Sequence, residues 1–288
     1  MKKKRRLNKI MENLALTRYL FSYIEVRQTL FVCILEKKYE EALYWGYELY
    51  YSGYKDSTYE YLFKIYNELF IKRERMEERI IDEYNKWKRD NELDEILGTI
   101  IINLCNEEYD ISKFTEKYLT IKCKKKDDKV NDSKLFILVG KKDIEKYKTL
   151  YLKGKMRDVL KNVYKYELKT EYNDVFEADK LDINDRKGAI CMNWEVYAYR
   201  TPYWRDLIDE YKGNIVENKI VFENDDYLEE FYEKYYLDMD EQGSSIQNIA
   251  LGINNKKKKT VKEFITDFNG EMTIKKKKST ISIKTEDN

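Results

Sequence analysis

Apolar and aromatic positions recur at intervals of three and four along most of this chain, and that period places helices before any other property is considered. Between Glu12 and Leu35 the stripe is Leu16, Tyr19, Leu20, Tyr23, Val26, Leu30 and Ile34, which predicts one helix. A second is expected over Tyr39–Tyr51, with Leu43, Tyr47 and Tyr50 on one face and Ala42, Gly46 and Leu49 beside them. The Ser52-Gly53 step ends it, because glycine takes the left-handed conformation that closes a helix cheaply. A third helix buries Tyr61, Leu62, Ile65, Tyr66, Leu69 and Phe70. Gly46 among bulky neighbours implies close approach of another helix, since an isolated helix glycine costs about 1 kcal/mol relative to alanine. Helices are also expected near Arg75–Trp87, Leu93–Leu104 and Ser112–Thr120. The helix–turn–helix unit is solenoid-like, but no second copy recurs at a fixed period, so a bundle is expected.

Lys122–Lys134 (KCKKKDDKVNDSK) breaks the pattern with charge runs and turn formers, and is the candidate boundary between two halves. The expected organisation is a helical domain over 1–121, a charged loop over 122–134, a mainly helical domain over 135–253 and a basic disordered tail over 254–288. In the second half, Leu135–Val139 has the length of a short buried strand, although five apolar residues do not distinguish strand from helix, and helices over Lys141–Leu152 and Lys155–Leu168 follow. Thr201-Pro202 has the form of an N-cap followed by proline at the first helical position, and Gly213 should close that helix. Asn214–Phe222 carries two β-branched pieces around Glu217-Asn218-Lys219, which predicts a small hairpin. Helices over Asp226–Tyr236 and Glu241–Leu251 follow, and Val261–Phe268 is expected to be helical only transiently. The fold class is therefore mainly α: a helical bundle with a short solenoid-like helix pair and a small hairpin or minor strands in the C-terminal half.

Composition narrows the function more than it names one. The chain has 288 residues, no histidine, and 55 basic against 54 acidic residues. Without imidazole, every Ser-His-Asp or Cys-His arrangement and every zinc site needing histidine is excluded. Cys33, Cys105, Cys123 and Cys191 fit neither CxxC pairing nor a compact disulfide framework, and are expected to be reduced and mostly buried. No apolar run is long enough to span a bilayer, and Leu7-Asn8-Lys9-Ile10 after the basic start is not a signal-peptide core. The 27 tyrosines, with abundant lysine, isoleucine and asparagine, also follow from AT-rich codons, so aromatic content alone points to no activity.

Three constellations carry candidate chemistry. Glu223, Asp225, Asp226, Glu229 and Glu230, with Asp238 and Asp240, have the charge to hold Mg²⁺, but acids at a helix start already account for the first group. Asp158 with Glu167 and Lys169 imitates the Asp…Glu-x-Lys set of a metal-dependent nuclease, yet lies in helical rather than strand pattern. No phosphate-binding glycine motif occurs, and no catalytic residue, metal ligand or cofactor is assigned. The strongest interaction signal is basic: Lys256, Lys257, Lys258 and Lys259, then Lys275, Lys276, Lys277 and Lys278, would neutralise phosphates in a salt-sensitive, sequence-independent way. Tyr44, Trp45, Tyr47, Tyr51 and Tyr54 are the candidates for a protein-binding surface, because aromatics concentrate at interface hot spots. Core packing is the competing use of the same spacing.

The segment Glu41–Tyr54 (EALYWGYELYYSGY) resembles the ALFWAYELYYSG-type stretch of a family of uncharacterised proteins of nucleocytoplasmic large DNA viruses, including mimivirus-like giants. Pro202-Tyr203-Trp204-Arg205, the run from Phe222 to Tyr236, and Asp240-Glu241-Gln242 are similar to the same family. The relatives carry alanine where this chain has Gly46, and the basic tail is not part of the pattern. The resemblance implies a viral gene product working in the host cytoplasm, in the viral factory, or packaged in the virion; it brings no activity and no functional residues. The expectation is a non-enzymatic scaffold or interaction module binding a viral or host protein, with no membrane. The alternative is a nucleic-acid-associated factor in viral transcription, replication or packaging that uses the lysine-rich tail.

Overall fold

The computed structural model describes residues 15–70, 74–124, 135–148, 159–176, 193–235, 237, 242–253 and 256–272. Its helices are α1 (Tyr23–Leu35), α2 (Tyr39–Tyr51), α3 (Lys55–Leu69), α4 (Glu74–Arg89), α5 (Glu95–Asn106), α6 (Ser112–Tyr118), α7 (Lys141–Lys148) and α8 (Val159–Val163). A 3-10 turn at Thr170–Tyr172 leads into α9 (Asn173–Phe176), and α10 covers 193–198. Then come α11 (Pro202–Glu210), the antiparallel hairpin β1 (Gly213–Val216) and β2 (Lys219–Phe222), α12 (Asp225–Tyr235), α13 (Ser244–Ala250) and α14 (Val261–Asp267). The mainly helical class with one small C-terminal hairpin is thus the observed one.

Helix α2 is the centre of the molecule and packs against α1, α3, α5 and α7. It is enclosed on nearly every side: Ala42, Trp45, Tyr47 and Glu48 are all at most 1% exposed. The close approach expected at Gly46 is real, since a Cβ there would lie 2.2 Å from Ile101 Cδ1 of α5. Across the same contact Gly98 makes room for Tyr47, whose hydroxyl accepts the Gly98 amide at 3.0 Å and donates to the Asp94 carbonyl at 3.0 Å. A tyrosine hydroxyl is accommodated inside the core because backbone groups meet it.

Two segments depart from the helical reading. The stripe starting at Glu12 does not become helix until Tyr23: residues 15–22 form a buried turn, closed by Thr17 N donating to the Phe21 carbonyl at 2.8 Å, with Leu20 at φ 62° and a bridge between Leu16 and Ser22. Leu16, Tyr19 and Leu20 are inside, so the apolar period reported burial rather than helix. Leu135–Val139 is not a paired strand, and only Val139 is buried in the core, with Leu135 86% and Leu138 69% exposed. Side chains of α5 stand in for the missing partner strand: Asn103 accepts from the Ile137 amide at 2.9 Å and donates to its carbonyl at 2.7 Å, and Thr99 accepts from the Val139 amide. The hairpin turns at Glu217 and Asn218, φ 48° and 64°, the pair of left-handed residues that a two-residue turn matched to strand twist requires.

The charged loop does not separate two cores. Buried residues from Leu16 to Phe268 form one cluster, and hydrogen bonds cross between the halves: Gln28 Nε2 donates to the Lys169 carbonyl at 2.7 Å, and Trp204 Nε1 to the Thr17 carbonyl at 3.2 Å. Thr201 precedes Pro202 as read, but its hydroxyl donates to the Leu16 carbonyl instead of capping α11. The tail reading is corrected over 256–272. There Thr260 and Glu263 form a capping box that starts α14, Phe264, Ile265 and Phe268 are buried, and Phe264 packs against Phe114, Tyr172 and Phe176. Lys124 N donates to the Glu271 carbonyl at 2.8 Å, tying this strap to residues of the supposed loop.

Candidate binding surfaces

The aromatic candidates are mostly spent inside. Trp45 and Tyr47 are fully buried, so neither presents a partner surface. Tyr51 is half-buried and donates to Asp94 Oδ2, while Tyr54 meets the Thr201 hydroxyl at 3.2 Å and its ring lies 4.2 Å from that of Tyr23. Tyr44 donates to the Val163 carbonyl at 2.6 Å, and burial pushes its hydroxyl well above the usual range. It still lines a cavity.

The lysines are spent in a different way. Lys256 reaches Glu167 at 3.2 Å, Lys257 reaches Glu263 at 3.2 Å and Lys259 reaches Asp267 at 2.9 Å. Lys258 Nζ donates to the Thr170 carbonyl at 2.9 Å. Within the first lysine block Lys256 and Lys258 fasten the strap to the body, while Lys257 and Lys259 pair with carboxylates of α14 itself; Lys275, Lys276, Lys277 and Lys278 lie outside the described residues. The nuclease-like set is also dispersed. Glu167 points to Lys256, Lys169 turns inward to Glu36 at 3.1 Å and Glu41 at 3.8 Å, and Asp158 lies outside the described residues. Among the described residues no group of three or more His, Cys, Asp or Glu side chains is placed to hold a metal, and Asp238 and Asp240 are not among them.

Sequence reasoning missed a buried ion pair. Arg18 Nε donates to Glu48 Oε2 at 3.0 Å, both side chains being at most 4% exposed, and the Tyr19 amide donates to Glu48 Oε1 at 3.0 Å. The guanidinium also donates to the Tyr147 carbonyl at 2.7 Å and the Lys148 carbonyl at 3.4 Å, the final carbonyls of α7. Burial pushes the Glu48 carboxyl up, against the opposing pull of Arg18 and of donors from Thr17 and Tyr19. A lone glutamate in the apolar run Ala42–Tyr51 was the available signal, because a charge inside an all-round buried helix needs a partner.

Two cavities open beside this core. The first, about 230 Å³, is lined by Arg18, Tyr19, Glu40, Tyr44, Lys146, Tyr147, Asn162, Val163, Lys165 and Tyr166. On its rim Lys146 holds Glu40 at 2.8 Å, and that hydrogen bond draws the Glu40 carboxyl below its ordinary range. The second, about 270 Å³, is a groove between α3, α6 and α9, with Phe31, Ile65, Leu69, Phe114 and Val175 as its floor and Tyr61, Leu119 and Phe176 as half-buried walls. On its edge Lys117 and the Tyr118 hydroxyl both donate to Glu68 at 2.7 Å, while Lys64 sits 5.3 Å from the Tyr118 ring centre with no carboxylate partner among the described residues. Among the described residues no helix is long and apolar enough to cross a membrane. The chain matches no family model, no curated protein and no solved structure.

Proposed function

We propose that this chain is a non-enzymatic protein-interaction module, and that the α3–α6–α9 groove receives a partner segment presenting one apolar side chain next to a carboxylate. The groove is the observation that carries this reading: a 270 Å³ opening with a phenylalanine floor and, at its rim, the cation Lys64, which makes no ion pair among the described residues. Burial of an apolar side chain supplies affinity, and the lysine sets which neighbouring residue is accepted. The absence of histidine and the dispersal of Glu167 and Lys169 support a non-enzymatic role. The resemblance of Glu41–Tyr54 to proteins of large DNA viruses supports a setting in a cytoplasmic viral factory or a virion, with a viral or host protein as partner. The nucleic-acid alternative loses ground because Lys256–Lys259 are engaged within the chain.

The test is a photo-crosslinking amino acid placed at Tyr118 on the groove rim and, as control, at Tyr39, which is 41% exposed outside it. A protein adduct at position 118 but not at 39, resistant to nuclease and lost in Lys64→Glu, is the expected result. Equal adducts at both positions, a nucleic-acid adduct, or indifference to Lys64→Glu overturns the reading.

A further inference from the structure

We infer that the 230 Å³ cavity over Arg18 is a binding site for a planar aromatic ring carrying a phosphate monoester, the chemistry of a nucleoside monophosphate. The inference stands independently of the groove. The walls supply the ring's share. Tyr44 and Tyr166 meet edge to face at 5.3 Å, and Tyr147 is backed by Tyr47, stacked at 5.0 Å with 11° between planes, which fixes its ring in place. Rings held by their own contacts offer aromatic surface at little further cost in side-chain freedom.

The cations supply the phosphate's share. An arginine presents five N–H donors. Three of those of Arg18 are taken, by Glu48 and by the Tyr147 and Lys148 carbonyls, and the other two have no partner among the described residues. The side chain is 4% exposed and lines the cavity, so those donors have little access to bulk water. Lys165 lies 5.1 Å from the Tyr166 ring centre and makes no close ion pair among the described residues, whereas Lys146 pairs with Glu40, a carboxylate whose charged form both lysines favour. Arg18, Lys146 and Lys165 against Glu40 on the wall and Glu48 behind leave one net positive charge, which favours an anion. The size sets an upper limit. Ligand pockets run from roughly 300 Å³ upward, and this cavity, at about 230 Å³, lies just under that range, so a dinucleotide or a strand is excluded and a mononucleotide is the largest candidate.

The experiment is titration calorimetry of the full chain with AMP, GMP, CMP and UMP, and with adenosine and inorganic phosphate as the separated halves. At least one nucleotide is expected to bind with Kd below about 1 mM, and each half at least about tenfold more weakly. Lys165→Glu, at an exposed position, and Tyr166→Leu are each expected to weaken that nucleotide by about tenfold or more, while Lys64→Glu in the groove leaves it unchanged. No heat with any nucleotide, phosphate binding as well as the nucleotide, or affinity unaffected by Lys165→Glu overturns the assignment. Lys165→Glu decides the case should Tyr166→Leu fail to fold.

Discussion

Helix α2 and the C-terminal strap are built from the same residue types, yet they hold to the molecule by opposite means. In α2 the buried carboxylate, Glu48, is sealed with Arg18 inside the protein, and Tyr44 and Tyr47 hydrogen-bond to backbone carbonyls of neighbouring segments. In the strap the carboxylates and lysines are mainly at the surface, as with Lys257 at 84% and Glu263 at 36% exposure, and only Phe264, Ile265 and Phe268 go inside. A charge removed from the interior strands its partner, whereas one removed from the surface is replaced by water. Charge substitution should therefore be costly at Glu48 in α2 and nearly silent in the strap, with apolar truncation the reverse lever on the strap.

The largest effect is expected from Glu48→Ala. It leaves the Arg18 guanidinium buried without its carboxylate, at a cost of roughly 3–5 kcal/mol. Replacing both partners, Arg18→Met with Glu48→Leu, should recover much of that loss, because no unpaired charge remains. Urea unfolding of Arg18→Met, Glu48→Leu and the double checks this; a double variant as unstable as the sum of those singles would show no coupling between the two positions and would overturn the stranded-charge account. Next in size is Phe264→Ala, expected to cost about 3 kcal/mol from the loss of contacts with Phe114, Tyr172 and Phe176. Amide exchange should place that loss in the strap first, and uniform acceleration throughout α2 would mean the two regions are a single cooperative unit.

The contrast between these regions was only half legible in the sequence. The bounds of α2 were readable because its apolar positions are periodic and Ser52-Gly53 ends it, with Gly53 at φ 92°. What the period does not encode is which side of a helix stays free. With apolar and aromatic side chains nearly all round after its first turn, α2 gives no sign of which of them stay at the surface, so Trp45 and Tyr47 were candidates for a surface they never reach. The strap failed in the other direction. Two lysine blocks outweighed three apolar residues in the compositional reading, although Thr260-Val261-Lys262-Glu263 spelled a capping box and Phe264, Ile265 and Phe268 a buried edge. Neither cavity was legible, since each is assembled from segments far apart along the chain, as Arg18 and Lys165 are. Tyr44 was singled out for its residue type, and its place on the cavity wall follows from the packing of α2 against the 162–166 segment.

A smaller effect sharpens the comparison through pH. The Thr260 amide and hydroxyl, with Lys257, hold the Glu263 carboxyl at about 2, against an ordinary 4.5. A depressed folded value means that its contribution is present above about 4.5 and is lost as the pH falls towards 2. Exchange protection of the α14 amides should therefore decline across that window, and Glu263→Gln should flatten the decline. A pH profile left unchanged by Glu263→Gln would place the acid-sensitive contact elsewhere in the strap.

The smallest expected change leaves stability alone and reads the two regions through their thiols. Cys33 and Cys105 are fully buried on α1 and α5, whereas Cys123 is half-buried and bridges to Met272 at the end of the strap. Burial raises the Cys33 thiol and pushes Cys105 up to about 12 from an ordinary 9, which at pH 8 cuts the thiolate fraction of Cys105 about thousandfold. In a Cys191→Ser background, a thiol reagent should modify Cys123 in a fast phase and the other two only as the core opens. Phe264→Ala should speed the Cys123 phase by freeing the strap. Arg18→Met with Glu48→Leu should leave that phase as it is, because among the described residues the side-chain hydrogen bonds of Arg18 and Glu48 go to Thr17, Tyr19, Tyr147 and Lys148 and to each other, none of them in the strap. Peptide mapping of the labelled cysteines decides it: equal acceleration at Cys33 and Cys123 in Phe264→Ala would show that the strap is a structural part of the core rather than a fastening laid over it.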